Sequence, residues 1–347
     1  MSLRKVFEPY FKIGTSVSRW NMQSDEAKKE LVKHYNSITG ENDMKPMFML
    51  DEETTLSDPA KYDKAAALKF DTAIPYLEFA KQNGIALRGH TLVWHNQTSI
   101  WFFKKDYQND WEAPNADRET MLARMENYIK GVLEFVQTNY PGVIYAWDVV
   151  NEAIDDADEE GWRVKSPWRQ IIGEDFLYHA FRFARKYAAK DVKLFYNDYN
   201  SFNPAKREKI CNLILKPLIE EKVIDGMGMQ GHLVLGDSSL KEIEEALHKY
   251  GSFGLDIHVT ELDIHCTDAS AEGQKVLADY YKDLFRIYLN AKKKGLANLT
   301  CVTFWGMKDD ESWLTGFRKE RSYPLLFGDN YEQKQAYDAV VSLVDEM

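Results

Sequence analysis

Apolar residues in this chain follow two alternating rhythms. Short runs rich in β-branched and aromatic residues occupy positions 11–15, 37–40, 86–93, 144–149, 193–197, 226–230, 256–261 and 300–305. Their length and near-continuous apolarity read as strands buried on both faces. Between them lie longer segments with a helical period. Segment 24–35 opens with Ser24 as an N-cap and a charged first turn. Segment 70–82 closes on Asn83-Gly84, with glycine where a helix exits. Segment 118–138 puts Met121, Leu122, Met125, Ile129, Val132, Leu133 and Val136 on one face. Further helices are predicted over 174–188, 204–221, 240–250, 274–294 and 333–344. This alternation predicts the α/β class. The architecture expected is a (β/α)8 TIM barrel, a single catalytic domain over residues 1–347 with a few enlarged loops. A doubly wound open sheet is the alternative, but no glycine-rich phosphate loop comes after the first strand.

Chemistry in such a barrel sits where the strands end. The second strand ends in Glu41-Asn42, with Lys45 just beyond. The third carries His90, Trp94 and Gln97; the fourth ends in Asn151-Glu152 and the fifth leads into Tyr199. The sixth ends at Gln230 and His232, the seventh at Glu261 and Asp263, and the eighth at Trp305, with Trp313 beyond it. Chance would scatter polar groups over both rims. Two of them, Glu152 in Trp-Asp-Val-Val-Asn-Glu and Glu261 in Val-Thr-Glu-Leu-Asp, end hydrophobic runs. A carboxylate there costs free energy unless it is paired or used. Two facing carboxyls are what glycosidic bond cleavage requires. One glutamate alone could equally be a rim salt bridge.

Composition narrows the partners. A net charge of −11 argues against nucleic acid or an anionic membrane. No window approaches the roughly 20 apolar residues of a membrane span. The opening Met-Ser-Leu-Arg-Lys-Val-Phe-Glu-Pro-Tyr has no apolar leader core, which points to the cytoplasm unless a secretion signal has been removed. Cys211, Cys266 and Cys301 lack metal-type spacing and read as free buried thiols, with a pairing left open. His258, His265 and Cys266 near Glu261 raise a metal site. His258 falls inside a strand, however, and no His-x-His lies after the first strand, so neither metal nor cofactor is expected. Trp20, Trp101, Trp111, Trp162 and Trp168 read as packing or rim residues.

The blocks Gly-His-Thr-Leu-Val-Trp-His-Asn-Gln (89–97), Trp-Asp-Val-Val-Asn-Glu (147–152), Asn-Asp-Tyr-Asn (197–200), Met-Gln-Gly-His (229–232), His-Val-Thr-Glu-Leu-Asp (258–263) and Thr-Phe-Trp-Gly (303–306) resemble glycoside hydrolase family 10, in order and over nearly the whole chain. The opening residues and the block at 168–173 resemble its intracellular bacterial members. The typical member is an endo-β-1,4-xylanase. The resemblance implies a retaining mechanism through a covalent glycosyl-enzyme, with Glu152 as acid/base and Glu261 as nucleophile. It implies that His232 bonds the nucleophile with Asp263 behind it. Asn151 and Gln230 would hold the sugar and the nucleophile. Trp305, Trp313, Trp94 and His90 would wall the −1 sugar, and Glu41, Asn42, Lys45 and Gln97 its −2 neighbour. Tyr199 would lie on the leaving-group side. The partner implied is xylan or a xylo-oligosaccharide; a homodimer is left open. The rival enzyme is a β-1,4-glucanase or cellobiosidase on the same scaffold, and the non-enzyme rival is a carbohydrate-binding barrel. The latter predicts loss of a carboxylate. Departures from the family pattern are Gln-Lys-Gln at 333–335, Thr98-Ser99-Ile100 before Trp101, and a short loop after Asp263.

Overall fold

The computed structural model describes residues 2–346. Its frame is a ring of parallel strands: β1 Lys12–Val17, β2 Ser37–Gly40, β3 Ala86–Gly89, β4 Ile144–Asn151, β5 Lys193–Asp198, β6 Gly226–Met229, β7 Asp256–His265 and β8 Asn298–Phe304. β8 pairs with β1, Lys12 opposite Cys301, and with β7, Asn298 opposite Asp256, so the ring closes. The short pieces Val93–Trp94 and His232–Val234 extend the sheet at the C-terminal rim beside β4 and β7. Helices alternate with the strands: α1 Asp25–His34, α2 Ile74–Asn83, α3 Arg118–Asn139, α4 Phe176–Tyr187, α5 over 204–220, α6 Leu240–Gly251, α7 Ala271–Lys293 and α8 Gln335–Ser342. This is the predicted (β/α)8 barrel. Among the described residues no helix is long and apolar enough to cross a membrane.

Local chemistry sets the boundaries. Ser24 caps α1 by accepting from the Ala27 N–H, as expected, and Gly84 leaves α2 at φ +61°. α2 begins only at Ile74, because Pro75 belongs in a first turn where its missing N–H loses nothing. The segment expected as one helix at 204–221 is interrupted by a π-helical stretch, Ile210–Leu215. Pro217 cannot donate to Leu213, whose carbonyl instead accepts from the Tyr178 hydroxyl at 2.8 Å.

Two strands also differ from expectation. The third stops at Gly89, because Asp148 captures the residues just beyond it: the Asp148 carbonyl accepts from Thr91 Oγ1 at 2.9 Å and from the Leu92 N–H at 3.0 Å. A Cβ on Gly89 would lie 2.3 Å from the Trp147 ring. β7 runs four residues past Glu261, to His265, pairing there with His232–Val234. Glu261 therefore lies within a strand, not at its end.

The barrel interior is a mixed layer. Arg88 and Asp148, both buried, form a bidentate pair, and the Arg88 guanidinium lies over the Phe195 ring. His258 accepts from Arg88 Nε at 3.1 Å and stacks on Phe195, making it a satisfied core histidine. Cys211, Cys266 and Cys301 are buried and unpaired.

Candidate active site

A cleft of about 970 Å³ opens at the C-terminal rim. Glu41, Asn42, Lys45, His90, Trp94, Gln97, Asn151, Glu152, Tyr199, Gln230, His232, Glu261, Trp305 and Trp313 all line it. Asp263 lies behind the wall, fully buried.

Glu261 is held from two sides. His232 Nε2 is 3.2 Å from its Oε2, and Asn197 Nδ2 donates to its Oε1 at 2.8 Å. The other ring nitrogen of His232 lies 2.8 Å from Asp263 Oδ1. A histidine between two carboxylates can satisfy both only as the imidazolium, donating from each nitrogen. Burial pulls the His232 proton off, but the Asp263 charge outweighs it and the pKa rises to about 10. Burial alone would raise Glu261; the hydrogen bond from His232 and the positive charge nearby win, and its carboxyl falls to about 2. Asp263 spends its second oxygen on Trp313 Nε1 at 2.8 Å, so one carboxylate fixes both the histidine and a wall tryptophan.

Glu152 comes directly after β4 in a left-handed conformation, φ +56°. Trp94 Nε1 donates to its Oε2 at 3.0 Å; Gln230 Nε2 and Asn151 Nδ2 donate to its Oε1 at 2.9 and 3.2 Å. Gln230 and Asn151 thus reach the Glu152 carboxyl directly, whereas the hold on the nucleophile that the resemblance implies for them runs through the sugar's 2-hydroxyl region. The amide on Glu261 is Asn197, which sequence reasoning includes in a block but does not single out. Asn197 also donates to Asn151 Oδ1 at 2.9 Å, so an amide relay joins the two carboxyls. Gly228 makes room for it: a Cβ there would sit 2.4 Å from Asn197 Oδ1.

The Lys45 end is equally organised. Lys45 Nζ donates to Gln97 Oε1 at 2.7 Å and Asn42 Oδ1 at 3.0 Å, and lies over the Trp94 ring. Burial lowers the Lys45 ammonium and raises the Glu41 carboxyl. His90 Nδ1 is fixed by Asp148 at 2.9 Å. Phe202, Leu233, Asp237, Glu242, Phe317 and Arg318 also line the cleft and carry no sequence signal: Phe202 and Asp237 lie in turns, Leu233 in the short strand His232–Val234, Glu242 in the first turn of α6, and Phe317 and Arg318 at the end of the short helix Trp313–Arg318. Trp101, Trp162 and Trp168 are buried, while Trp20 and Trp111 are exposed; none lines the cleft. Among the described residues no group of three His, Cys, Asp or Glu is placed to hold a metal ion, and His265 bonds Ser322.

Two carboxyls in one cleft, joined by amides and walled by tryptophan, agree with the family resemblance, and the profile of glycosyl hydrolase family 10 matches residues 2–343. The chain belongs to glycosyl hydrolase family 10. It is 56% identical over 341 residues to endo-1,4-beta-xylanase B of Butyrivibrio fibrisolvens, covering 98% of this chain and 53% of that protein. It is 40% identical over 350 residues to endo-1,4-beta-xylanase A of Thermotoga maritima, covering 98% of this chain and 30% of that protein. The chain thus spans about half, or less, of these relatives' length. Among solved structures, the CBM22-1 and GH10 modules of a Clostridium thermocellum endo-1,4-beta-D-xylanase bound to xylohexaose superpose with a TM-score of 0.89 at 34% identity, over 99% of this chain and 67% of that one. An intracellular xylanase from Thermoanaerobacterium saccharolyticum gives 0.85 at 35% identity, over 98% of both chains.

His232 gives a direct test of the electrostatics in this family member. Glu261 is ionised above about 2 and loses its charge only as pH falls through that value. His232→Gln removes the cation, so the acid limb of kcat/KM should move upward, toward the ~4.3 of an ordinary glutamate. A kcat/KM profile unchanged between roughly pH 3 and 6 would contradict this account.

Proposed function

We propose that the protein is a retaining endo-1,4-β-xylanase acting on xylan or xylo-oligosaccharides by double displacement, with residues 1–347 forming one catalytic unit. The observation that carries this is the pair of carboxyls in unequal settings. Glu261 is kept anionic by an imidazolium. Glu152 sits across an amide relay, bonded to a tryptophan and two amides. Glu261 attacks the anomeric carbon while Glu152 gives its proton to the leaving oxygen. The ester so formed is hydrolysed by water that Glu152 deprotonates. Trp305, Trp313, Trp94 and His90 wall the reacting xylose. Glu41, Asn42, Lys45 and Gln97 bond its neighbour, and Tyr199 lies toward the leaving sugar. The named relatives support xylan as the polymer class. We also propose the cytoplasm as its site of action, supported by the intracellular relative.

The test is hydrolysis of xylohexaose beside cellohexaose, with the anomer formed first read by NMR. The β-anomer should appear first. Glucose adds a hydroxymethyl at C5 that Trp313 would crowd. One such group is worth ~1–3 kcal/mol, so kcat/KM should favour the xylo-substrate by roughly 10–200-fold. Trp313→Ala should narrow the ratio mainly by slowing xylohexaose, because the indole also anchors Asp263. Equal cleavage of both substrates would overturn the xylanase reading and leave the family assignment standing.

A further inference from the structure

Glu152 has two environments, one around its carboxyl and one around its backbone. The second is unusual. Beyond Asn151 the chain leaves the sheet, and Glu152 adopts φ +56°. The next two N–H groups, of Ala153 and Ile154, therefore have no strand to bond. Both point to the hydroxyl oxygen of Tyr196, at 3.0 and 3.3 Å. Tyr196 is fully buried on β5, and its own proton goes to the Asp198 carboxylate. Every hydrogen-bonding direction of that hydroxyl is then used. Asp198 is fully buried too, and is balanced by Lys206 Nζ at 2.8 Å. Lys206 reaches Asp156, on the same loop as Glu152, at 2.8 Å. The Glu152 N–H is taken by the Asn197 carbonyl at 2.9 Å, and its carbonyl by Arg163 Nε at 2.9 Å. Nothing in this set touches the carboxyl of Glu152, yet together it fixes the turn from which that carboxyl projects.

We propose that Tyr196, buttressed by Asp198 and Lys206, is a positioning residue for the acid/base Glu152, its hydroxyl clamping the left-handed turn that aims the carboxyl at the glycosidic oxygen. This rests on the reading of Glu152 as the acid. A backbone left-handed at a non-glycine residue persists only where its surroundings hold it. Buried N–H groups without an acceptor would drive this one to relax. Proton transfer tolerates little misplacement, and an error near 1 Å can cost about 100-fold. The tyrosine hydroxyl itself bonds only the turn after Glu152, whereas Glu261 is held by His232 and by the Asn197 side chain.

The experiment compares kcat/KM of wild type, Tyr196→Phe and Glu152→Ala on two aryl β-xylobiosides, one with a phenol and one with a dinitrophenol leaving group. kcat/KM reads the first chemical step, where only the poor leaving group needs a proton. Tyr196→Phe should lose roughly 10- to 100-fold on the phenyl substrate and less than about 3-fold on the dinitrophenyl one. A merely structural role would lower both alike. Equal losses, or no loss, in a Tyr196→Phe enzyme of normal thermal stability overturn the proposal while Glu152→Ala still discriminates. If Glu152→Ala itself loses equally on both substrates, the acid assignment falls and the proposal with it. Should Tyr196→Phe not fold, Asp198→Asn decides by the same measurement: it keeps the tyrosine but weakens its acceptor, and should show the same selective loss to a smaller degree.

Discussion

Glu261→Ala is expected to lower kcat on xylo-oligosaccharides by roughly five to six orders of magnitude, the scale seen when a covalent nucleophile is removed. The reason lies in what surrounds the carboxylate. With His232 cationic and Asn197 donating, the anion is ready to attack without first losing a proton. Azide supplied to the mutant should enter the vacated space and capture the anomeric carbon from the same face. The product should be an α-xylosyl azide, formed from an aryl β-xyloside with a good leaving group, whose departure Glu152 need not assist. Activity within tenfold of wild type, or a β-azide, sinks the nucleophile assignment. Stability should change modestly. Alanine leaves the buried Asn197 amide and His232 each without one of their two acceptors, at about 1–3 kcal/mol if no water replaces the oxygens.

Much of this arrangement can be read from the chain because it is local. A buried parallel strand has a short apolar signature, and its C-terminal neighbour falls at the barrel rim by geometry. Glu41, Glu152, Gln230 and Trp305 are legible that way, and Glu261 with Asp263 because carboxylates interrupt an apolar run. The hidden part depends on strands far apart in sequence. Asn197 reaches Glu261 only because Gly228 leaves space on the next strand, while Thr260 donates to Asn197 Oδ1 at 2.6 Å. No periodicity in 193–197 marks that asparagine as more than a strand end. The direct bonds of Asn151 and Gln230 to Glu152 have the same origin. Asn151 and Gln230 flank Glu152 in space, but in sequence Gln230 stands as close to Glu261's block as to any other. The extension of β7 past Glu261 is hidden because its partner, His232–Val234, is a three-residue piece supplied by a loop. The π-helical stretch is signalled by Pro217 alone, and its location is set by Tyr178 from a neighbouring helix. Phe317 and Arg318, on the six-residue helix Trp313–Arg318 beyond β8, belong to an element too short to leave a periodic pattern.

The second large effect is expected at Glu152, and its size should depend on the substrate. Glu152→Ala should slow cleavage of xylan or xylohexaose by roughly 10²–10⁴-fold, the usual contribution of a general acid. The leaving sugar alkoxide is strongly basic and cannot depart without a proton. For an aryl xyloside with an acidic phenol the first step needs little help, so kcat/KM should fall far less. Breakdown of the glycosyl-enzyme still lacks its base, so the intermediate should accumulate and appear as a burst of phenol and then slow turnover. The bonds around the carboxyl add a further expectation. Trp94 Nε1 and Gln230 Nε2 both donate to Glu152, so alanine frees an indole and an amide in the cleft wall. Glu152→Gln retains an acceptor for one of them and should keep substrate affinity nearer to wild type than alanine does, while being equally unable to deliver a proton. The two variants should therefore share the same leaving-group dependence and differ in KM. A uniform loss across leaving groups in both would place the acid elsewhere in the cleft. A burst without that dependence would instead confine Glu152 to activating water in the second step.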